Sequence, residues 1–87
     1  MKVKDGFLLR QVAGRYIIVA VNDQAADFDG IVTVNEVGAF IWKLMENDVT
    51  EEEILSAVLN EYEVSESDAK ADIAAFIAKA KTNGFLD

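Results

Sequence analysis

The chain predicts an α+β fold, a three-stranded antiparallel sheet followed by three helices. Three observations carry this. Before position 35 the apolar residues lie in short β-branched runs, and after it they recur every three or four residues. A helix start is written at the changeover, in Val34-Asn35-Glu36-Val37-Gly38-Ala39-Phe40-Ile41-Trp42-Lys43-Leu44-Met45. Two further helix starts follow, at Thr50 and Ser65, each ahead of its own apolar stripe.

The strands come first. Phe7–Val12 and Arg15–Val21 are β-rich runs separated by Ala13-Gly14. Gly14 tolerates positive φ, so a tight hairpin is expected. Tyr16 to Val21 is apolar on both faces, as in a central or doubly covered strand. Asn22 to Gly30 is polar and acidic and reads as a loop. Ile31-Val32-Thr33-Val34 is a short third strand.

The first helix is the centre of the pattern. Asn35 is a good N-cap, because its side-chain oxygen can accept from an N–H of the first turn that lacks a helical partner. Glu36 stands at the positive end of the dipole. Val37, Phe40, Ile41, Leu44 and Met45 make one face, and Gly38 and Trp42 widen it to roughly 200° of arc. One neighbour cannot cover so wide an arc, so this helix is expected between the sheet and the other helices. Thr50-Glu51-Glu52-Glu53 is a capping box ahead of Ile54, Leu55, Val58, Leu59 and Tyr62. Ser65 opens the third helix, with Asp68 as a weaker box and Ala69, Ile73, Phe76, Ile77 and Ala80 as its core stripe. Gly84 occupies a C′ position, from which Phe85 and Leu86 can fold back. The predicted core is Phe40, Ile41, Trp42, Leu44, Ile54, Val58, Leu59, Ile73, Phe76 and Ile77.

Composition narrows the chemistry. Residues 1–87 suit one small domain, and 52% of them are hydrophobic, enough for a core. Cys and His are absent, which removes disulfides, thiolate chemistry, the commonest general base and the commonest metal ligands. Neither a catalytic group, a metal site nor a cofactor is expected. Eight basic residues against sixteen acidic ones, a net charge of −8, disfavour nucleic acid and anionic membranes. No apolar run approaches the ~20 residues of a membrane span. Met1 to Gly6 lacks the features of a signal peptide, so a cytoplasmic protein is expected.

Several patterns imitate sites. Asp27-Phe28-Asp29-Gly30 with Glu36 resembles part of a calcium loop, but its first ligand position is Ala25 and no helix enters it. Glu51-Glu52-Glu53 are ordinary dipole partners at a helix start, and Trp42 on the apolar arc belongs to the core. Two features stay open. Ala71, Ala74, Ala75 and Ala78 form a second stripe on the third helix, from helix propensity or as a smooth surface for another chain. Ile31 to Val34 is a β-branched strand, and an edge of that kind is a liability unless something pairs with it.

The block Val34 to Leu44 resembles the PqqD family of small peptide-binding domains, also called RiPP recognition elements. The family pattern there is Leu-Asn-x-Thr-Gly-x-x-Ile-Trp-x-Leu, from which Val34 and Val37 depart mildly. Thr50 to Ile54, Tyr62-Glu63-Val64, Asp72-Ile73, Phe76-Ile77 and Gly84-Phe85-Leu86 extend the resemblance over roughly residues 7 to 87. It implies a winged helix-turn-helix-like fold without catalysis. Such a domain binds the leader segment of a ribosomally made precursor peptide and presents it to a modifying enzyme, often a radical SAM enzyme. The leader adds as a strand beside the third helix. Carried over, the peptide-binding residues are Ile31, Val32, Thr33 and Val34, with Asp72, Ala75, Phe76 and Lys79 on one flank of that helix. The opposite flank, with Lys70, Ala74 and Lys81, is less favoured because it offers no large apolar floor. A winged-helix DNA-binding regulator shares the topology. It would present the third helix to DNA, and the first two turns there carry Glu66, Asp68 and Asp72 against Lys70 alone.

Overall fold

The computed structural model describes residues 1–21 and 30–87. Strands β1 (Phe7–Val12), β2 (Arg15–Ala20) and β3 (Ile31–Val34) form an antiparallel sheet in the order β1-β2-β3. Helices α1 (Glu36–Leu44), α2 (Glu51–Glu61) and α3 (Glu66–Thr82) follow. This is the expected α+β order, with the doubly apolar run as the middle strand. Of the Asn22–Gly30 loop reading, only Gly30 lies among the described residues, so the acidic segment Asp27 to Asp29 lies outside them.

The β1–β2 connection is the two-residue turn that Ala13-Gly14 predicts. Both residues have positive φ, 51° and 79°, the combination that matches the twist of a hairpin. It closes the register Val12↔Arg15 and continues to Phe7↔Ala20. β3 pairs with β2 from Tyr16↔Val34 to Val19↔Ile31. Alternation then sends Phe7, Ile18 and Val34 into the core, while Leu8, Ile31 and Thr33 remain exposed.

All three helix starts fall where the caps predict. Asn35 Oδ1 accepts from the Gly38 N–H at 2.7 Å. Thr50 and Glu53 form both bonds of a capping box, at 2.9 and 3.1 Å. Ser65 Oγ accepts from the Asp68 N–H at 3.1 Å, the single bond of a simple cap. At the far end of α3 the N–H of Gly84 bonds the Lys81 carbonyl and that of Phe85 bonds the Ala80 carbonyl. These two bonds are the Schellman pattern, with Gly84 at φ 71°. The chain is thereby turned so that Phe85 packs edge-on against Phe7 and Trp42, with centroids 4.9 and 5.5 Å apart.

Helix α1 is central, as its wide apolar arc requires. It touches β3, α2 and α3, and Ile41 and Trp42 are fully buried. The α3 stripe Ala69, Ile73, Phe76, Ile77 and Ala80 is buried throughout. Three expected core residues, Phe40, Leu44 and Leu59, are only half-buried. Of the α2 stripe only Ile54 and Val58 are buried, because α2 packs on one side and leaves its flanks at the rim. Phe40 closes that rim against Tyr62, with centroids 5.4 Å apart and rings nearly perpendicular. Burial there, then the carboxylates of Glu36 and Glu61, push the Tyr62 phenol above its ordinary pKa.

The segment before β1 has a structural part that its sequence does not announce. Val3 is buried, forms a bridge with Leu86 and donates its N–H to the Met45 carbonyl at 2.8 Å. No helix among the described residues is long and apolar enough to cross a membrane.

Candidate functional site

The handover from β3 to α1 places a strand edge beside residues 72–79 of α3. Between them lies a groove of about 210 Å³. Its α3 wall consists of Asp72, Ala75, Phe76 and Lys79. These recur at i, i+3, i+4 and i+7, one face of a helix. The facing wall consists of Val34, Asn35, Val37 and Gly38.

Each wall follows from local sequence. Asn35 ends the strand and starts the helix, so the chain turns there and β3 cannot extend past Val34. Gly38 lets α1 approach α3. A Cβ added there would stand 3.1 Å from a Phe76 ring carbon and 3.2 Å from Asn35 Oδ1. Phe76 is 8% exposed, and that rim is the floor of the groove. Ala75 beside it is short enough to leave the groove open. The surface is therefore apolar in the middle, with Asp72 toward one end and Lys79 toward the other.

Lys79 reaches across to the strand. Its Nζ donates to the Thr33 carbonyl at 2.8 Å. That carbonyl accordingly turns toward α3. Residues two apart in a strand point their main-chain groups the same way, so Ile31 presents its groups on the same edge.

Of the predicted site residues, Val34, Asp72, Ala75, Phe76 and Lys79 come together in the groove, and Thr33 joins them through its carbonyl. Val32 points its half-buried side chain toward the core, and Ile31 is 61% exposed. Ile31 can serve the groove through its main chain, whereas the main-chain groups of Val32 turn the other way, toward its partner Ile18 in β2. Sequence reasoning assigned Asn35 to capping and Val37 and Gly38 to the α1 face, and so missed them as lining. The available signal was Gly38 itself, since a glycine within a helix costs stability unless something must come close.

The opposite flank differs from its expectation. Lys70 and Ala74 line a second depression with Ile73 and with Glu51, Glu52 and Leu55 of α2. Ile73 and Leu55 give this flank an apolar floor after all. Lys81 lies apart, in a shallow region beside Met1 and Asp48. At the start of α3, Lys70 is 3.9 Å from Glu66, so its charge is offset by a neighbouring acid. Nothing in this geometry favours docking of α3 to DNA.

None of the curated proteins matches the chain. Two solved structures share its fold. One is TbiB1 in complex with the TbiA(beta) leader peptide, 22% identical, with a TM-score of 0.76 over 100% of this chain and 95% of that one. The other is lasso peptide synthetase B1 complexed with the leader peptide, 20% identical, with a TM-score of 0.73 over 97% of this chain and 93% of that one. The family model for coenzyme PQQ synthesis protein D matches residues 15–86, from the first residue of β2 to the bridge at Leu86. With the Asn35, Gly38, Ile41 and Trp42 block now explained as cap, close approach and core, the chain belongs to the PqqD family.

Proposed function

We propose that this protein is a leader-peptide-binding adaptor. The leader segment of a ribosomally synthesised precursor peptide adds as a strand along Ile31, Val32, Thr33 and Val34. It lies in the groove against Asp72, Ala75, Phe76 and Lys79. The carrying observation is the juxtaposition of a strand edge with an apolar-floored groove. Main-chain bonds along β3 supply a sequence-blind part of the affinity, and the groove supplies selection among side chains. Membership of the PqqD family supports the reading, as does a fold shared with two proteins solved with leader peptides.

The whole chain acts as one binding unit, without catalysis, cofactor or metal, in the cytoplasm. It presents the bound leader to a modifying enzyme such as a radical SAM protein. The absence of His and Cys suits an adaptor, since it leaves few groups for acid–base, nucleophilic or metal chemistry.

The test is a titration of isotope-labelled protein with the leader of a precursor encoded beside its gene. Amide shifts should concentrate in residues 31–34 and 72–79. Thr33→Pro should weaken binding, because proline removes a strand donor. Shifts confined to β1 and β2, or binding indifferent to Thr33→Pro, would sink the reading.

A further inference from the structure

Lys79 is an exposed lysine near the end of a helix, and such side chains ordinarily keep their ammonium in water. Here the ammonium is committed to the Thr33 carbonyl, 46 residues away in sequence. That carbonyl is one of the few acceptors a four-residue strand can offer to a neighbour. A strand added to this edge needs the same acceptor for its own N–H. The free protein thus carries a substitute for the missing strand, supplied by a side chain.

Resting on the peptide-binding reading, we propose that Lys79 is a displaceable cap on the β3 edge. By this device the groove selects a segment with a carboxylate side chain close to its apolar anchor. When the strand arrives, its main-chain N–H takes over the Thr33 carbonyl. The ammonium is released at the rim of the groove and needs a new partner. A neutral segment leaves it to water. A carboxylate gives it a charge-assisted bond, stronger than the one it held to a neutral carbonyl.

The surroundings make the preference local. Lys79 forms no ion pair among the described residues. Asp72 stands two helical turns away, about 10 Å along the axis, too far to neutralise it. At its own end Asp72 repels a second carboxylate. The net charge of −8 also disfavours acidic peptides in general. The selected segment therefore carries one acid at one position beside an apolar side chain seated over Phe76 and Ala75. Residues two apart in a strand share a face, which sets the spacing.

The experiment selects displayed random nonapeptides on the full chain and, separately, on Lys79→Met. Representative peptides are then synthesised with Glu or Gln at the enriched position. On the parent protein we expect an acid at one position, two residues from an apolar one, with amide shifts in residues 31–34. Replacing Glu by Gln in the peptide should weaken binding about tenfold, the effect of one charge-assisted bond. On Lys79→Met the two peptides should bind equally, and the Gln peptide at least as tightly as it binds the parent, because no cap has to leave. Peptides that shift residues 31–34 but show no acid position would overturn the cap proposal alone. So would a Glu-to-Gln loss that persists in Lys79→Met. If neither selection yields a peptide that perturbs residues 31–34, the peptide-binding reading and the cap fall together.

Discussion

The two flanks of α3 have much in common, and only one of them adjoins a strand. Each has an alanine, Ala75 on one side and Ala74 on the other. Each has an apolar floor, Phe76 on one side and Ile73 with Leu55 on the other. Each also pairs one lysine with acid, Lys79 with Asp72 on one side and Lys70 with Glu51 and Glu52 on the other. The difference lies in the second wall. Beside Ala74 it is the first turns of α2, whose N–H groups are partly taken by the Thr50 cap and whose carbonyls bond within the helix. Beside Ala75 it is the end of β3, with main-chain groups turned outward. Small residues and an apolar floor make a depression. A backbone edge with hydrogen bonds still to make turns it into a place for another strand.

The largest effect is expected at the floor of the β3 flank. Phe76→Ala removes a buried ring that supports α1 as well as the groove. It should cost about 3–5 kcal/mol in urea unfolding, from lost burial and the cavity left behind. A loss under about 1 kcal/mol would show that the ring belongs to the surface and not the core. The next effect compares the flanks directly. Ala75→Trp fills the groove and should weaken leader binding by at least about tenfold, roughly 1.4 kcal/mol. Ala74→Trp adds the same side chain to the other flank and should leave leader affinity unchanged, both variants being read by the titration of isotope-labelled protein with the leader. Equal losses in the two variants would erase the distinction drawn above.

The fold was largely legible because its boundaries are local chemistry. Asn35, Thr50, Ser65 and Gly84 each fix a helix end through bonds to residues within a few positions, and Ala13-Gly14 fixes the hairpin likewise. Burial at the rim was less legible. Phe40 and Leu59 have core periodicity, but how deeply a stripe is covered depends on which neighbours cover it. Val3 was missed for a related reason, since its partners Met45 and Leu86 are remote and a short segment has no period to read. In the site, periodicity brought Asp72, Ala75, Phe76 and Lys79 onto one face. The opposing wall and the Lys79 bond to Thr33 depend on how α3 docks against the β3–α1 junction. The floor on the Ala74 side was overlooked because Leu55 comes from another helix.

The smallest effect separates stability from binding at two caps of similar strength. Asn35 Oδ1 and Thr50 Oγ1 each accept one first-turn N–H, at 2.7 and 3.1 Å. Either substitution to alanine should cost roughly 0.5–2 kcal/mol in thermal or urea unfolding. Thr50 has a partial safeguard, since Glu53 still accepts from the Thr50 N–H after the hydroxyl is lost. Its loss should therefore lie toward the lower end of that range. Their consequences for the leader should diverge. Asn35 lines the groove and fixes where β3 ends, so its loss loosens the wall that the peptide meets. Thr50 lies at the start of α2, on the side of the other flank. At a temperature where both variants remain folded, Asn35→Ala should weaken leader binding severalfold and Thr50→Ala should not. Parallel losses of stability with no difference in binding would mean that the β3–α1 junction is only a helix start, and that the strand edge alone defines the site.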